Sequence, residues 1–253
     1  MTPMAESTLR IPTRRLPERP AALLLVDGGR SHPPSRPTAQ DLIAAQATGS
    51  RVLKRTGDLL FSSLVLVLGS PVLVALALVV KLSSRGPIFY VQRRVGRGYS
   101  DFGCIKFRTM RKDADQMLSQ LLQQSPELEA EFRNDFKLKD DPRITPIGKF
   151  LRRSSLDELP QFLNVLRGEM SVVGPRPIVR EELERYGQQM DEVLAVRPGL
   201  TGLWQVSGRN NLSYETRVAL DVRYARRRTL SLDMGIVFRT IAVILFPRDR
   251  GAY

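Results

Sequence analysis

Between Leu59 and Val80 the chain runs LLFSSLVLVLGSPVLVALALVV without a charged residue. At about 1.5 Å per residue, a helix of this length reaches ~33 Å, enough to cross the hydrocarbon core of a bilayer. A buried helix of a soluble protein is seldom apolar on every side over such a length. The run therefore predicts a membrane-inserted helix.

Two features count against a straight crossing. Gly69, Ser70 and Pro71 sit in the middle of the run. Pro71 lacks a backbone N–H and its ring crowds the preceding turn, so a kink is expected, and the Ser70 hydroxyl can bond a carbonyl that Pro71 frees. The flanks are also basic on both sides: Arg51, Lys54 and Arg55 before the run, and Lys81, Arg85, Arg93, Arg94 and Arg97 after it. A straight crossing puts one cluster on the non-cytoplasmic side, against the positive-inside tendency. A re-entrant helix-break-helix over residues 51–82, entering and leaving on one face, satisfies both clusters. A kinked spanning helix is the alternative.

The 253 residues carry a formal net charge of +13, which attracts polyanions: nucleic acid, anionic lipid headgroups or phosphorylated substrates. The single cysteine, Cys104, excludes an internal disulfide, and the single histidine, His32 in the Pro-rich SHPPS, excludes a His/Cys zinc cage. Nucleophilic or acid–base chemistry in the folded part falls to Asp, Glu, Lys, Ser, Thr or Tyr. Residues 1–50, with prolines and arginines, read as disordered apart from a short docking helix at Asp41–Ala45.

Residues 83–253 read as an α/β domain, mostly α, with a few short strands. Ile88–Val91 and Phe102–Phe107 are strands around a Gly96-Arg97-Gly98 turn. Met110–Phe136 is helical with a break near Ser125-Pro126. Leu156, Leu159, Leu163 and Leu166 keep helical spacing. Ile178–Gln189, Leu212–Arg227 and Leu232–Phe246 are further helices, and glycine-rich turns fill Pro198–Arg209.

Several clusters can carry chemistry. In RRSSLDELPQF, Asp157 and Glu158 are adjacent carboxylates preceded by Arg152 and Arg153. Such a pair suits phosphoryl transfer, one carboxylate attacking phosphorus or holding a metal while the cations bind phosphate oxygens. Ser155 and Glu158 also have capping-box spacing, so Glu158 as a plain helix cap is the competing reading. Lys106 and Arg108 fall on one face of a strand end, either a paired phosphate site or a solvated strand face. Arg176 is held between Pro175 and Pro177, rigid enough for bidentate phosphate contact, or simply part of a loop connector. Arg209 sits in a similar tight turn.

Together these segments resemble the bacterial sugar transferase family, the monotopic phosphoglycosyl or polyprenyl-phosphate hexose-1-phosphate transferases. The likeness runs from about Leu53 to Tyr253 through KRTGD, KFRTM, DPRITPIGKFLRRSSLDELPQFLNVLRGEMSVVGPRP, VRPGLTGLWQVSGR and the closing RGAY. The resemblance implies a re-entrant helix broken at Ser70-Pro71, compact cytoplasmic catalytic residues with interfacial C-terminal helices, and a location on the cytoplasmic face of the bacterial inner membrane. It implies that Asp157 attacks the β-phosphorus of a UDP-sugar, that UMP leaves, and that undecaprenyl phosphate takes the sugar-phosphate from Asp157. Glu158 would ligate Mg²⁺, Pro175-Arg176-Pro177 would contact the nucleotide, and Lys106, Arg108, Arg152 and Arg209 would bind substrate. Membrane lipids are implied partners, nucleic acid is not, and a homodimer is left open. Many relatives carry Trp and Ser near Arg228-Thr229, where this chain has the basic run Arg226-Arg227-Arg228. The competing class is a membrane-anchored polyanion-binding or scaffold protein without catalysis. Aromatic residues at 7%, not interleaved with the basic ones, argue against a nucleic-acid stacking platform.

Overall fold

The computed structural model describes residues 48–135 and 138–246. The N-terminal segment, with the expected helix at Asp41–Ala45, and the closing RGAY lie outside the described residues.

The apolar run forms part of one helix, α1 (Thr48–Ser83), assigned without interruption through Pro71. Pro71 cannot donate to the Val67 carbonyl four residues back, and the Ser70 Oγ donates to that oxygen instead at 2.8 Å. Only 6% of its most apolar window is buried, so α1 is not the core helix of a soluble protein. Leu60, Leu64, Val67, Leu68, Val72, Val74 and Leu78 all stand exposed.

Both ends of α1 are fastened to the rest of the chain. Near the N-terminal end, Lys54 Nζ pairs with Asp233 at 2.7 Å, and Arg55 donates to the carbonyls of Val165 and Leu166. Buried Asp58 accepts from the Ser171 hydroxyl and the Val172 N–H. Near the C-terminal end, Val80 is buried with Phe107 and Leu151, and Leu73, Leu76 and Ala77 pack against them. The described residues fall in one compact unit, so both ends of α1 dock on the same body.

The chain then makes a hairpin of β1 (Phe89–Val95) and β2 (Asp101–Phe107), antiparallel with Tyr90 opposite Lys106 and Arg94 opposite Phe102. β1 runs past the expected Val91. The helices α2 (Ala114–Gln124) and α3 (Pro126–Asp135) meet at the expected break. Next comes α4 (Pro146–Ser154), capped by the Thr145 side chain accepting from Gly148 N–H. A Cβ at Gly148 would lie 2.0 Å from the Thr109 carbonyl oxygen, so only glycine lets α4 sit this close to the end of the hairpin.

The stretch expected as one helix from Leu156 begins instead as a 3₁₀ turn (Leu156–Gln161), with Pro160 inside it, and becomes α-helical only in α5 (Phe162–Arg167). The 180–189 region is likewise short 3₁₀ and α turns, with α6 (Leu183–Tyr186) among them, followed by α7 (Met190–Leu194). On either side of this region in sequence run two strands that local patterning did not predict, a parallel pair of β3 (Ser171–Val173) and β4 (Gly199–Thr201). A Cβ at Gly199 would fall 2.1 Å from Gly174 N, so the two strand ends meet backbone to backbone. Then follow α8 (Leu203–Ser207), α9 (Tyr214–Arg227) and α10 (Leu230–Leu245). The principal core lies where β2, α5, β3, α8, α9 and α10 converge on Cys104, Val165, Met170, Tyr224 and Ile236.

Candidate active site

Helix α4 ends at Ser155, which adopts left-handed backbone geometry (φ 58°) and turns the chain straight into the 3₁₀ segment carrying Asp157 and Glu158. Ser155 makes no side-chain capping bond there. Glu158 instead reaches across to β2, where Lys106 Nζ lies 2.6 Å from its Oε1. The capping reading of Glu158 therefore fails, and the dyad is tied to the strand.

That tie is fixed from beneath by Asn164. Its buried amide accepts from the Ile105 N–H at 3.0 Å and donates to the Gly103 carbonyl at 2.7 Å and to Glu169. β2 is thus tied at Gly103 and Ile105 to α5, the helix that follows directly on the dyad turn.

Asp157 is buried, while Glu158 is half-buried. Burial, reinforced by the neighbouring Glu158 charge, pushes the Asp157 carboxyl up to about 6 against the pull of Lys106 and Arg152. Desolvation works in the same direction on Glu158, but the Lys106 charge and hydrogen bond, helped by Arg176 and Arg94, outweigh it and hold Glu158 below its ordinary value. The environment thus separates two adjacent carboxyls, a pattern associated with distinct chemical roles.

The cations come from separate elements. Arg152, from the last turn of α4, donates through Nε to Thr109 Oγ1 at 2.9 Å. Its own pKa is lowered by burial while Asp157 works to raise it. Arg209 occupies a left-handed position (φ 53°), half-buried; burial lowers its pKa, and the charge of Glu158 opposes this. The Arg176 guanidinium lies 5.7 Å from the centre of the Trp204 ring, a cation–π distance.

Arg176 is anchored from behind. Pro175 is fully buried, and its carbonyl accepts from Gly199 N–H at 2.7 Å. Arg176 N–H bonds to Asp221, which also accepts from Tyr186 Oη at 3.1 Å. Burial raises the Asp221 carboxyl to about 8. Arg94 donates to the Pro177 carbonyl at 3.0 Å and faces Glu182 at 3.6 Å.

Arg94, Thr109 and Asp221 were not among the expected site residues. Arg94 had a readable signal: β1 and β2 pair so that Gln92, Arg94, Cys104 and Lys106 occupy one face of the hairpin, and an arginine on that face has to find a partner.

Arg108 is a correction. Its guanidinium does not join Lys106 at the dyad. It donates to the carbonyls of Val80, Ser84 and Pro87 and to the Ser84 hydroxyl, clamping the C-terminal end of α1 and the following turn. The strand pattern ends at Phe107, and the backbone leaves the alternation that would have placed Arg108 beside Lys106.

The dyad supplies two hard carboxylate groups, and no cluster of three or more His, Cys, Asp or Glu forms a closed cage among the described residues. Mg²⁺ is commonly held by one or two carboxylates, with phosphate oxygens and waters completing its shell. The donor set therefore fits Mg²⁺ shared between protein and a phosphorylated ligand.

The geometry defines a carboxylate dyad, one member buried and the other half-buried, in a cationic basin on a body gripped by an apolar helix. A family model described as bacterial sugar transferase matches residues 49–247, and the chain belongs to that family. It is 50% identical over 81% of its length to an undecaprenyl-phosphate galactose phosphotransferase of Salmonella typhimurium, covering 42% of that protein. It is 48% identical over 80% of its length to the exopolysaccharide production protein ExoY of Sinorhizobium fredii, covering 88% of it. A UDP-glucose:undecaprenyl-phosphate glucose-1-phosphate transferase of Escherichia coli is 40% identical over 76% of the chain and is covered to 40%. The chain thus spans less than half of the Salmonella and Escherichia relatives and most of the Sinorhizobium one.

Proposed function

We propose that the chain transfers hexose-1-phosphate from a UDP-sugar to undecaprenyl phosphate, releasing UMP, at the cytoplasmic face of the bacterial inner membrane, as the first step of exopolysaccharide or other glycoconjugate synthesis. The observation that carries this reading is the placement of buried Asp157 among Lys106, Arg152 and the charge of Glu158. The names of the Salmonella, Sinorhizobium and Escherichia relatives support the substrate classes.

In this reading an Asp157 oxygen attacks the β-phosphorus of the UDP-sugar. As the new O–P bond forms, the bond from that phosphorus to the bridging oxygen breaks. The bridging oxygen keeps the electron pair and leaves with UMP. An oxygen of the lipid phosphate then attacks the same phosphorus, and the Asp157 carboxylate leaves unchanged. The first step requires no base, because a carboxyl with a pKa of about 6 is already mostly ionised at neutral pH. That agrees with the lack of histidine outside His32.

Lys106 holds Glu158 in place, and Arg152 and Arg209 offer guanidinium forks to phosphate oxygens. The Pro-bounded, Asp221-anchored turn presents Arg176 to the nucleotide. Glu158 would hold Mg²⁺, which supplies charge neutralisation for the pyrophosphate when bound.

The fastening of both ends of α1 to one compact unit supports the re-entrant reading. Lys54 and Val80 would lie ~39 Å apart along a straight helix. A helix that crossed the bilayer would carry one of these docking sites to the far side.

The test is to supply purified protein, undecaprenyl phosphate and Mg²⁺ with a panel of UDP-sugars and to measure UMP. At least one UDP-hexose should give lipid-dependent turnover that Asp157→Asn abolishes. A panel with no UMP release would favour the non-catalytic scaffold.

A further inference from the structure

Beside the N-terminal end of α1 lies a cleft of about 560 Å³, counted out to open solvent, lined by arginines from four parts of the chain. Arg51 and Arg55 come from α1, Arg97 from the β1–β2 turn, Arg197 from the approach to β4, and Arg228 from the α9–α10 junction. None of the residues gathered around the dyad lines it. Asp58 is the one carboxylate among its lining residues. Both of its oxygens are already engaged, by the Ser171 hydroxyl and the Val172 N–H.

Two of the arginines are held in place by backbone carbonyls. Arg55 donates to the Val165 and Leu166 carbonyls, and Arg197 Nε donates to the Gly168 carbonyl at 2.8 Å. Both therefore lean on the C-terminal end of α5. Arg97 sits in a turn whose next two residues, Gly98 and Tyr99, have φ of 64° and 63°. The non-glycine Tyr99 is secured there by its Oη donating to Asp191 at 2.6 Å.

The group repels itself. Burial lowers the pKa of Arg97, and the charges of Arg197 and Arg51 push it the same way. Burial lowers the pKa of Arg228; Tyr224 and Asp233 oppose that shift, and the charges of Arg97 and Arg51 add to it. Like charges converging on a concave surface create a strong positive potential that an anion relieves.

The height of the cleft selects the anion. Arg51 and Arg55 precede Leu59 by about 12 and 6 Å along the helix axis. The headgroup layer is about 5–7 Å deep on each side, so Arg55 falls within it and Arg51 just beyond its outer edge. Guanidinium forks suit the paired oxygens of a phosphate.

We propose that this cleft binds the phosphate headgroup of an anionic membrane phospholipid, at a place separate from the site of transfer. The inference rests on the membrane reading of α1 and not on the transfer chemistry.

The full chain in neutral detergent is titrated with short-chain phosphatidylglycerol, with phosphatidylcholine of the same chain length, and with inorganic phosphate, while Tm is followed. Phosphatidylglycerol should raise Tm by several degrees through preferential binding to the folded state. Phosphatidylcholine and inorganic phosphate at equal concentration should not. The double variant Arg97→Gln/Arg228→Gln should lose most of the shift, whereas Arg97→Lys/Arg228→Lys should keep a large part of it. UMP release in neutral detergent should be unchanged in both, which separates this site from the dyad. An equal shift from phosphatidylcholine, an equal shift from inorganic phosphate, or an undiminished shift in the glutamine variant would each overturn the assignment.

Discussion

Lys106 and Glu158, 52 residues apart in sequence, are joined by a 2.6 Å charged hydrogen bond that leaves Asp157 beside them without a side-chain partner of comparable strength. The bond holds one carboxylate ionised and oriented while the other is left available for chemistry.

Replacing Lys106 with Met should therefore act on both carboxyls. Glu158 loses its fixed partner, and UMP release should fall on the order of 10²-fold, as for loss of one preorganised electrostatic group. Lys106 also pulls the Asp157 pKa downward. Its removal should move the acid limb of the pH–rate profile to higher pH, and a limb left in place would contradict the coupling.

The pH dependence of the wild-type protein follows from the same residue. Asp157 is raised from 3.8 to about 6, and its ionised form is the attacking one. The first step, measured without acceptor lipid, should lose about tenfold in rate per unit below pH 6 and level off above it. For stability the sign is opposite. An acid whose folded pKa lies above its unfolded one favours folding when protonated, so this contribution is lost as pH rises through about 6. Asp157→Asn at pH 7.5 should thus be inactive yet melt higher, by on the order of 2 kcal/mol or several degrees. A lower Tm for Asp157→Asn would show the charged carboxylate to be stabilising.

Chelation tests the metal. EDTA should stop UMP release and Mg²⁺ should restore it, because a pyrophosphate donor needs charge neutralisation. Glu158→Gln should require a higher Mg²⁺ concentration for half-maximal rate. Full activity in EDTA would remove the metal from the account.

Legibility in the sequence followed the range of each interaction. The apolar run, the Ser70 rescue of the Val67 carbonyl, the hairpin, and the helices α9 and α10 rest on local pattern and could be read directly. The adjacency of Asp157 and Glu158 is also local. What Glu158 touches is not, because Lys106 reaches it only through the Asn164 link between β2 and α5. Arg108 was misplaced because strand alternation was carried one residue beyond Phe107. The β3–β4 pair escaped because three-residue parallel strands carry little periodic signal. Their position is set by the close approach of Gly174 to Gly199. Asp221 escaped because its role, receiving the Arg176 N–H and Tyr186 Oη, exists only once α9 packs behind the Pro-bounded turn.

The topology of α1 can be examined in cells. With single cysteines near Ala45 and Ser84 in a Cys104→Ser background, neither should react with a membrane-impermeant thiol reagent until the cells are permeabilised. In Ser70→Ala/Pro71→Leu, where a normal hydrogen bond to Val67 is restored, the helix should straighten, the site near Ala45 should become accessible, and activity should fall. Labelling near Ala45 alone in the parent protein would establish a true crossing.

The central claim is that Asp157 itself carries the sugar-phosphate, and the most direct measurement is UMP release before any acceptor lipid is added. Mixing the protein with its UDP-sugar and Mg²⁺ should give a rapid burst of UMP stoichiometric with enzyme, then a halt until undecaprenyl phosphate is supplied. The quenched protein should carry one hexose-phosphate on the peptide containing Asp157. If UMP appears only after the lipid is added, or if Asp157→Asn gives the same burst, transfer is direct and the covalent role of Asp157 is wrong.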